Sequence, residues 1–403
     1  MTPAQAVGLA VALSLGAAVS LGVARFSYGL LLPPMRADLG WSYTLAGAMN
    51  TANALGYLLG ALVTPRLMQR FGPAPLLVWG ALLASLFMGL SGFFTAAAPL
   101  LAQRLLAGVA SAFVFIAGGL LAARLGALQP ARGGLLIGLY YGGTGFGIVL
   151  SALLVPRVLD ATAHLPHGWA WAWWALAAAC LGATAALLWP ARRLAQLSLP
   201  GAAATGTAAQ GAWPDVLPPF RWRRLAPALA GYTLFGVGYI GYMTFVIALM
   251  REQGASAGAI TGFYALLGVA VVASSRIWAG LLDRARGGGA LALLNALLAL
   301  ATLVPAFTAH AGALLASGLV FGAVFLSVVA STTALVRHNL PPAQWAQGIS
   351  AFTILFAAGQ IVGPTVVGWI ADGPGGLARG LVFSAAALAL GAVLAWRQRP
   401  LSA

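Results

Sequence analysis

The chain has 403 residues, of which 61% are hydrophobic and only 7% are charged. Soluble domains carry about a quarter charged residues, so this composition excludes a soluble globular protein and predicts a surface that faces lipid. The formal net charge is +15, but the basic residues are all arginines that stand singly between apolar runs, which argues against a nucleic-acid interface.

Apolar segments follow one another along the whole chain. A bilayer core about 30 Å thick needs about 20 apolar residues in each spanning helix. Strand-type alternation is absent from these segments, so we predict an all-α membrane protein rather than a transmembrane barrel. The predicted spans are twelve: 6–34, 42–64, 74–96, 98–123, 133–157, 169–189, 225–250, 257–282, 288–309, 311–336, 345–371 and 377–396.

The arginines predict the topology of these spans. With a cytoplasmic N-terminus, most of them fall in cytoplasmic loops, so the positive-inside rule places both chain ends in the cytoplasm. The small, polar stretch near the middle of the chain is predicted to be a cytoplasmic linker, 191–224. It would separate an N-terminal six-helix bundle, 1–190, from a C-terminal one, 225–403.

The two predicted bundles are related by an internal repeat. One constant offset, without gaps, superimposes equivalent residues of the two halves over most of five helices. Two parallel six-helix repeats are a known architecture of secondary transporters. The matched pairs include Gly22 with Gly236, Tyr28 with Tyr242, Gly40 with Gly254, Ser42 with Ser256, and Arg70 with Arg284.

Three arginines fall inside predicted spans: Arg25, Arg104 and Arg276. An arginine at the bilayer centre costs about 2.5–3.5 kcal/mol on insertion scales, and it does not escape this cost by deprotonation. Each therefore needs a wet cavity, an anion or a route to the headgroups. We interpret Arg25 as lining a cavity, the alternative being a side chain that extends to the outer headgroups.

The other two arginines have competing interpretations. Arg104 is a candidate substrate contact or a structural residue that bonds to backbone carbonyls between helices. Arg276 is a candidate substrate clamp or a partner of Asp283 near the cytoplasmic end of its helix.

Helical spacing also places Arg25 on one face with small residues, which would suit a cavity wall; they are Ser14, Ala18, Gly22 and Gly29.

The six acidic residues all fall in loops or at helix ends. A cation in a low-dielectric cavity without a carboxylate partner attracts anions, so this asymmetry favours an anionic ligand. It also argues against pumps for cationic drugs and removes the usual proton-carrying carboxylate, although protons stay a candidate coupling ion.

Further polar side chains lie in mid-span. For each of them, a hydrogen bond between helices is as good an interpretation as a contact with substrate. The candidates for substrate binding are Asn53, Tyr57, Tyr140, Thr144, Tyr239 and Gln360.

The sequence favours no enzyme. His-x-x-x-His pairs, cysteine clusters, phosphate loops and embedded carboxylate pairs are missing, and the four histidines fall in loops or at helix ends. His164 and His167 have a His-x-x-His spacing that could bind a metal, but solvated loop residues are the better interpretation. We therefore predict no catalytic residue, no metal and no cofactor.

Two motifs resemble those of the major facilitator superfamily (MFS). "AGLLDRARGGGAL", from Ala279, is similar to its cytoplasmic loop signature, and "RLLAG", from Arg104, to its fourth-helix motif. The resemblance implies the MFS fold, with twelve transmembrane helices in two pseudo-symmetric six-helix bundles. It also implies a cytoplasmic latch formed by Arg70, Asp283 and Arg284 in the outward-facing state.

A narrower resemblance lies in the first helix. "RFSYGLLLPPM" is similar to the signature of the YbfB/YjiJ-type subfamily, which implies secondary transport. "SSRIWAGLLDR" resembles the eighth helix of the oxalate/formate and monocarboxylate transporter group, where an arginine holds a carboxylate; Arg276 matches that position to within one residue.

These observations predict a secondary transporter that moves a small organic anion by alternating access. The alternative is an exporter of neutral or amphipathic compounds, favoured by the 13 tryptophans and 18 phenylalanines. We expect a monomer in a bacterial-type inner membrane, with the lipid bilayer and a small-molecule substrate as partners and no nucleic acid.

Overall fold

The computed structural model describes residues 1–129, 132–196, 222–341 and 344–401, and within these ranges it contains helices and no strands. Twelve long helices account for most of the described chain. Their bounds are α1 Pro3–Leu39, α2 Tyr43–Phe71, α3 Pro73–Ser91, α4 Ala97–Leu128, α5 Gly133–Ala161, α6 Trp169–Gln196, α7 Ala226–Glu252, α8 Ala257–Arg284, α9 Gly289–Phe307, α10 Ala311–Asn339, α11 Trp345–Ala371 and α12 Gly376–Trp396.

Each helix corresponds to one predicted span. Eleven of the twelve contain a stretch long and apolar enough to cross a membrane; α2 is the exception, because it carries Asn50, Thr51 and Asn53 in its first half and two arginines in its second. Most of the differences between the predicted spans and the observed helices are at helix ends. For example, α2 continues to Phe71, two turns beyond its predicted end. Most of the predicted linker lies outside the described residues.

The helices form two pseudo-symmetric six-helix bundles of the MFS fold, α1–α6 and α7–α12. Local structure follows the repeat. Gly40 and Gly254, which occupy equivalent repeat positions, both adopt positive φ after their helices, a conformation that glycine permits. Ser42 and Ser256 then accept a backbone N–H bond as the N-caps of α2 and α8.

The first helix is interrupted around Arg25. It is α-helical over Pro3–Ala17, π-helical over Ala18–Val23, and α-helical again over Tyr28–Leu39. π-helical turns are rare and frequently lie at functional sites. Pro33 and Pro34 lie inside the last segment and do not end the helix.

The interruption changes what the small residues of α1 do. A π-helical turn shifts the register, so one face does not run continuously from Ser14 to Gly29. Gly22 and Ser14 instead contact Gly147 and Gly143 of α5 so closely that a Cβ on either α5 glycine would overlap α1 backbone. The small face of α1 is therefore a helix-packing face, and the predicted cavity wall along it is wrong.

The contacts of α2 with α11, which join the two bundles, lie towards one side of the membrane. Both chain ends lie on the same side of a twelve-helix protein, here called the terminal side. On the other side, called the opposite side, Gly47 of α2 packs on the Pro364 carbonyl, and Gly368 packs on Tyr43. Towards the terminal side, α2 and α11 expose Val63 and Ile354. We interpret these contacts and exposures as a structure that is closed on the opposite side and open towards the terminal side.

Candidate substrate site between the halves

Arg25 lies at the junction of the two bundles. Its side chain is only 4% exposed, and Nη2 donates a hydrogen bond to Oε1 of Gln360 on α11. The hydroxyl of Tyr239, on α7, donates to the same oxygen at 2.9 Å. Nε of Arg25 has no hydrogen-bond partner among the described residues. Arg25, Tyr239 and Gln360 are thus three predicted site residues that the structure brings together.

This group, called the central triad, reflects the internal repeat. Tyr239 occupies the repeat position of Arg25, since the offset that relates Gly22 to Gly236 also relates these two residues. Both meet Gln360, from opposite bundles. The fold therefore places one cation and one neutral hydroxyl at equivalent points on either side of one amide. A rigid-body movement between the bundles would separate Arg25 from Gln360 and Tyr239.

Arg104 has a different environment. It is 2% exposed, and its Nη1 and Nη2 donate to the Ala24 carbonyl at 2.7 Å and to Oδ1 of Asn50 at 2.8 Å. Its guanidinium also lies 4.8 Å from the ring centroid of Tyr28. The Ala24 carbonyl is one that the α1 interruption leaves for a side chain to satisfy. These contacts support the structural interpretation of Arg104.

The asparagines of α2 extend this network. Asn53 donates to the Arg104 carbonyl at 3.0 Å, which joins α2 to α4 inside the first bundle. Asn50 donates to the Thr244 hydroxyl at 2.7 Å, which joins the two bundles. Asn53 is therefore engaged in helix contact, whereas Asn50 belongs to the closed interface.

Three other predicted residues line or support the space next to the triad. Tyr57 is half-buried, packs on Phe115, and interacts electrostatically with Arg25 and Tyr239. Tyr140 is fully buried and donates to the Phe115 carbonyl at 2.9 Å. Thr144 is buried in the α1–α5 contact, where its hydroxyl has no partner among the described residues.

Arg276 is exposed, one turn closer to the terminal side than Val272, which approaches Gly142. The structure does not join it to the central triad. The predicted latch residues, Arg70, Asp283 and Arg284, are also exposed, and no ion pair joins them in the described part of the chain. The absence of an ion pair among the described residues agrees with an open terminal side, because the latch is predicted for the outward-facing state, in which that side is closed.

A polar cluster on the opposite side was not predicted. Asp372, just after α11, accepts the backbone N–H groups of Tyr43 and Thr44 at 2.6 and 2.8 Å and the Thr44 hydroxyl at 2.6 Å. The carboxylate of one bundle thus caps the N-terminus of α2 in the other. Tyr43 in turn donates to Glu252 at the end of α7 and lies 3.8 Å from the guanidinium of Arg36.

Asp372 is ionised in this cluster over most of the pH range. Partial burial favours the neutral form, but the hydrogen bonds from Thr44 and Tyr43 and the charge of Arg36 outweigh it and lower the pKa of Asp372 below 3.8. The sequence indicated part of this cluster, since Ser42 predicts the start of α2. Nothing in the sequence indicates that a residue from the other half of the chain supplies the second cap.

The acidic residues leave Arg25 without a counter-charge. The five that the structure describes all lie at helix ends or just beyond them, and Asp215 is outside the described residues. Within the described chain, the one contact between an acidic and a basic side chain at ion-pair distance joins Asp38 to His167. The central triad therefore carries a positive charge whose hydrogen-bonded partner is neutral.

Two pseudo-symmetric bundles that meet at a buried polar group, closed on one side and open on the other, define a membrane transporter of the MFS class. The chain belongs to the family described as uncharacterised MFS-type transporter YbfB, whose family model matches residues 17–396. No curated protein matches the chain.

Solved structures of other MFS transporters share the fold. The nucleoside transporter NupG has a TM-score of 0.67 at 14% identity, covering 98% of this chain and 99% of its own. A bacterial homologue of the human lysosomal transporter Spinster has a TM-score of 0.68 at 14% identity, covering 98% and 97%. The Escherichia coli fucose:proton symporter has a TM-score of 0.59 at 16% identity, covering 97% of each chain.

Proposed function

We propose that this protein is a secondary active transporter of a small, carboxylate-like organic anion, which it moves by alternating access. The observation that carries the proposal is the central triad: a buried guanidinium between the two bundles that bonds to a neutral amide. Removing a charge from water without a counter-charge is costly, so a cation held there is suited to an anionic ligand. A carboxylate would accept charge-assisted bonds from Arg25 and a bond from Tyr239.

The alternating movement would follow from the two clusters at the membrane surfaces. The cap from Asp372 holds the opposite side closed, and Arg70, Asp283 and Arg284 would hold the terminal side closed in the other state. We place the protein in a bacterial-type inner membrane with the terminal side in the cytoplasm, on the positive-inside distribution of its arginines. It would act as a monomer, and protons are the candidate coupling ion.

Export of neutral or amphipathic compounds is the second candidate. Aromatic side chains of both bundles favour it, because Tyr57 and Phe115 on one side and Phe356 on the other lie on the terminal side of the triad. The two candidates differ in whether recognition requires the charge of Arg25.

The test is a thermal-shift and uptake measurement on Arg25→Gln. Charge-assisted hydrogen bonds contribute about 1.5–3 kcal/mol each, so we expect carboxylate binding to weaken by roughly 10- to 150-fold while the protein stays folded. Arg25→Lys should bind weakly too, because lysine lacks the planar fork. Arg276→Gln, which changes an exposed arginine, is the matched control. Unchanged carboxylate uptake by Arg25→Gln, or unfolding of that variant, would contradict the proposal.

A further inference from the structure

The central site offers one free positive charge. Arg104 is occupied by the Ala24 carbonyl, by Asn50 and by the Tyr28 ring, and it serves the first bundle. Arg276 is exposed and apart from the triad. Arg25 is the remaining buried arginine in the described chain, and its acceptor is an uncharged amide. A ligand with one carboxylate finds free donors at Arg25, whereas a second carboxylate would find both Nη groups of Arg104 already bonded within the first bundle.

The donors around that charge also fit one carboxylate. Arg25 Nη2 and the Tyr239 hydroxyl now share Oε1 of Gln360 as acceptor. A carboxylate in place of that oxygen would accept both bonds with its own oxygens. The unpartnered Nε of Arg25 adds a third donor within the same planar fork.

The walls between the triad and the terminal side are aromatic. In the second bundle, Tyr239 stacks on Phe235 and Phe356, with centroid distances of 4.7 and 5.6 Å and ring planes within about 20°. In the first bundle, Tyr57 and Tyr141 both pack on Phe115, at 6.5 and 5.2 Å. Tyr141 is 38% exposed, and Tyr57, Phe115 and Phe356 are half-buried, so part of each ring is accessible.

We infer that the transported anion is a monocarboxylate with an aromatic body, held by Arg25 and Tyr239 at the carboxylate and by the rings of Tyr57, Phe115 and Phe356 along its length. This inference rests on the proposed function, because it requires the carboxylate at Arg25. Ring contacts contribute beyond burial when planes are offset-stacked or edge-to-face, which are the geometries that these walls present. A short aliphatic acid would bind the guanidinium of Arg25 but would leave the aromatic rings in contact with water.

Four probes test the two parts separately, by binding to the purified protein and by counterflow in proteoliposomes. 3-Phenylpropionate carries the inferred features, 3-phenylpropanamide removes the charge, hexanoate removes the ring, and phenylsuccinate adds a second carboxylate. We expect 3-phenylpropionate to bind at least tenfold more tightly than the amide or phenylsuccinate, and about three- to tenfold more tightly than hexanoate.

Variants assign the effect to the named residues. Phe356→Leu should weaken 3-phenylpropionate about three- to tenfold and leave hexanoate unchanged, whereas Phe307→Leu, at an exposed ring near the end of α9, should change neither. Equal binding of hexanoate, or of phenylsuccinate, with dependence on Arg25 retained, would overturn the inference and leave the proposed function standing. Binding of the amide as tight as the acid, or no binding of either acid, would overturn both.

Discussion

Arg25 and Arg104 are two buried arginines with different partners, and the partners decide what each can do. Arg104 donates to a backbone carbonyl and to Asn50, so it completes the packing of the first bundle. Arg25 donates to Gln360 across the interface, and the Nε atoms of both arginines are without a hydrogen-bond partner among the described residues. The sequence indicated that both are buried and without an acidic partner. It offered no means of telling them apart, because the partner of Arg25 lies in the other half of the chain.

Arg104→Gln is expected to destabilise the protein. The shorter side chain would leave the Ala24 carbonyl and Asn50 Oδ1 without their donors, and a buried unsatisfied acceptor costs about 1–3 kcal/mol. We expect a lower melting temperature in detergent and a lower yield of folded protein. The free energy of unfolding of Arg276→Gln, a change at an exposed position, should stay within about 0.5 kcal/mol of that of the native protein. A native-like melt for Arg104→Gln would show that Arg104 is free to serve the substrate.

At the scale of the helices, most of the fold was predictable and the interruption of α1 was not. The twelve apolar runs correspond to the twelve helices because length and hydropathy are set by the bilayer. The π-helical turn at Ala18–Val23 has no such signal, and the side chains that bond to the carbonyls of Ala24 and Phe26 just after it, Arg104 and Tyr264, come from other helices. For that reason the spacing from Ser14 to Gly29 was interpreted wrongly as a single face.

Gly47→Ala is expected to open the opposite side. A Cβ at this position would overlap the Pro364 carbonyl oxygen, so α2 and α11 would have to separate. The measurement is maleimide labelling of Thr365→Cys, whose native side chain meets Thr51 in the closed interface, with Cys180 buried and silent. Labelling should rise from the opposite side.

Gly262→Ala is the matched control for Gly47→Ala. Gly262 is a glycine within α8 that would meet nothing within 4 Å if a Cβ were added. We expect it to leave labelling at position 365 unchanged and to raise stability slightly through helix propensity. Equal labelling of the two glycine variants would show that the contact at Gly47 does not control closure.

At the scale of the whole molecule, the repeat was visible in the sequence and the conformation was not. Glycines and N-caps at equivalent positions of the two halves predicted two related bundles. The closed side of the membrane is determined by contacts such as that of Asp372 with Thr44. These contacts join residues from different bundles and produce no periodic pattern in the sequence.

Asp372→Asn and Asp283→Asn should therefore shift the conformational equilibrium in opposite directions. The first weakens the cap on α2 and favours opening of the opposite side; the second removes a charge from the predicted latch and favours opening of the terminal side. Labelling of Thr365→Cys should rise with Asp372→Asn and fall or stay low with Asp283→Asn. The same direction of change in both variants would contradict the pairing of the two clusters.

The cap should also depend on pH. The folded-state pKa of Asp372 is lowered, so its contribution is complete above the ordinary aspartate pKa of 3.8 and is lost as the pH falls below that value. The accessibility of a spin label attached at Thr365→Cys, which does not depend on the thiolate as maleimide labelling does, should therefore be constant at neutral pH and increase below about pH 3.8 in a stable proteoliposome preparation. In Asp372→Asn it should be high and flat across the same range.

The lone charge of Arg25 has an electrical consequence. On the proposed mechanism, the empty carrier holds one more positive charge within the membrane than the carrier loaded with a monoanion, because Arg104 is charged in both. Carrying one elementary charge through a potential of about 100 mV changes its free energy by about 2.3 kcal/mol, in proportion to the fraction of the field that it crosses. Membrane voltage would then act more strongly on the return of the empty carrier than on the loaded step.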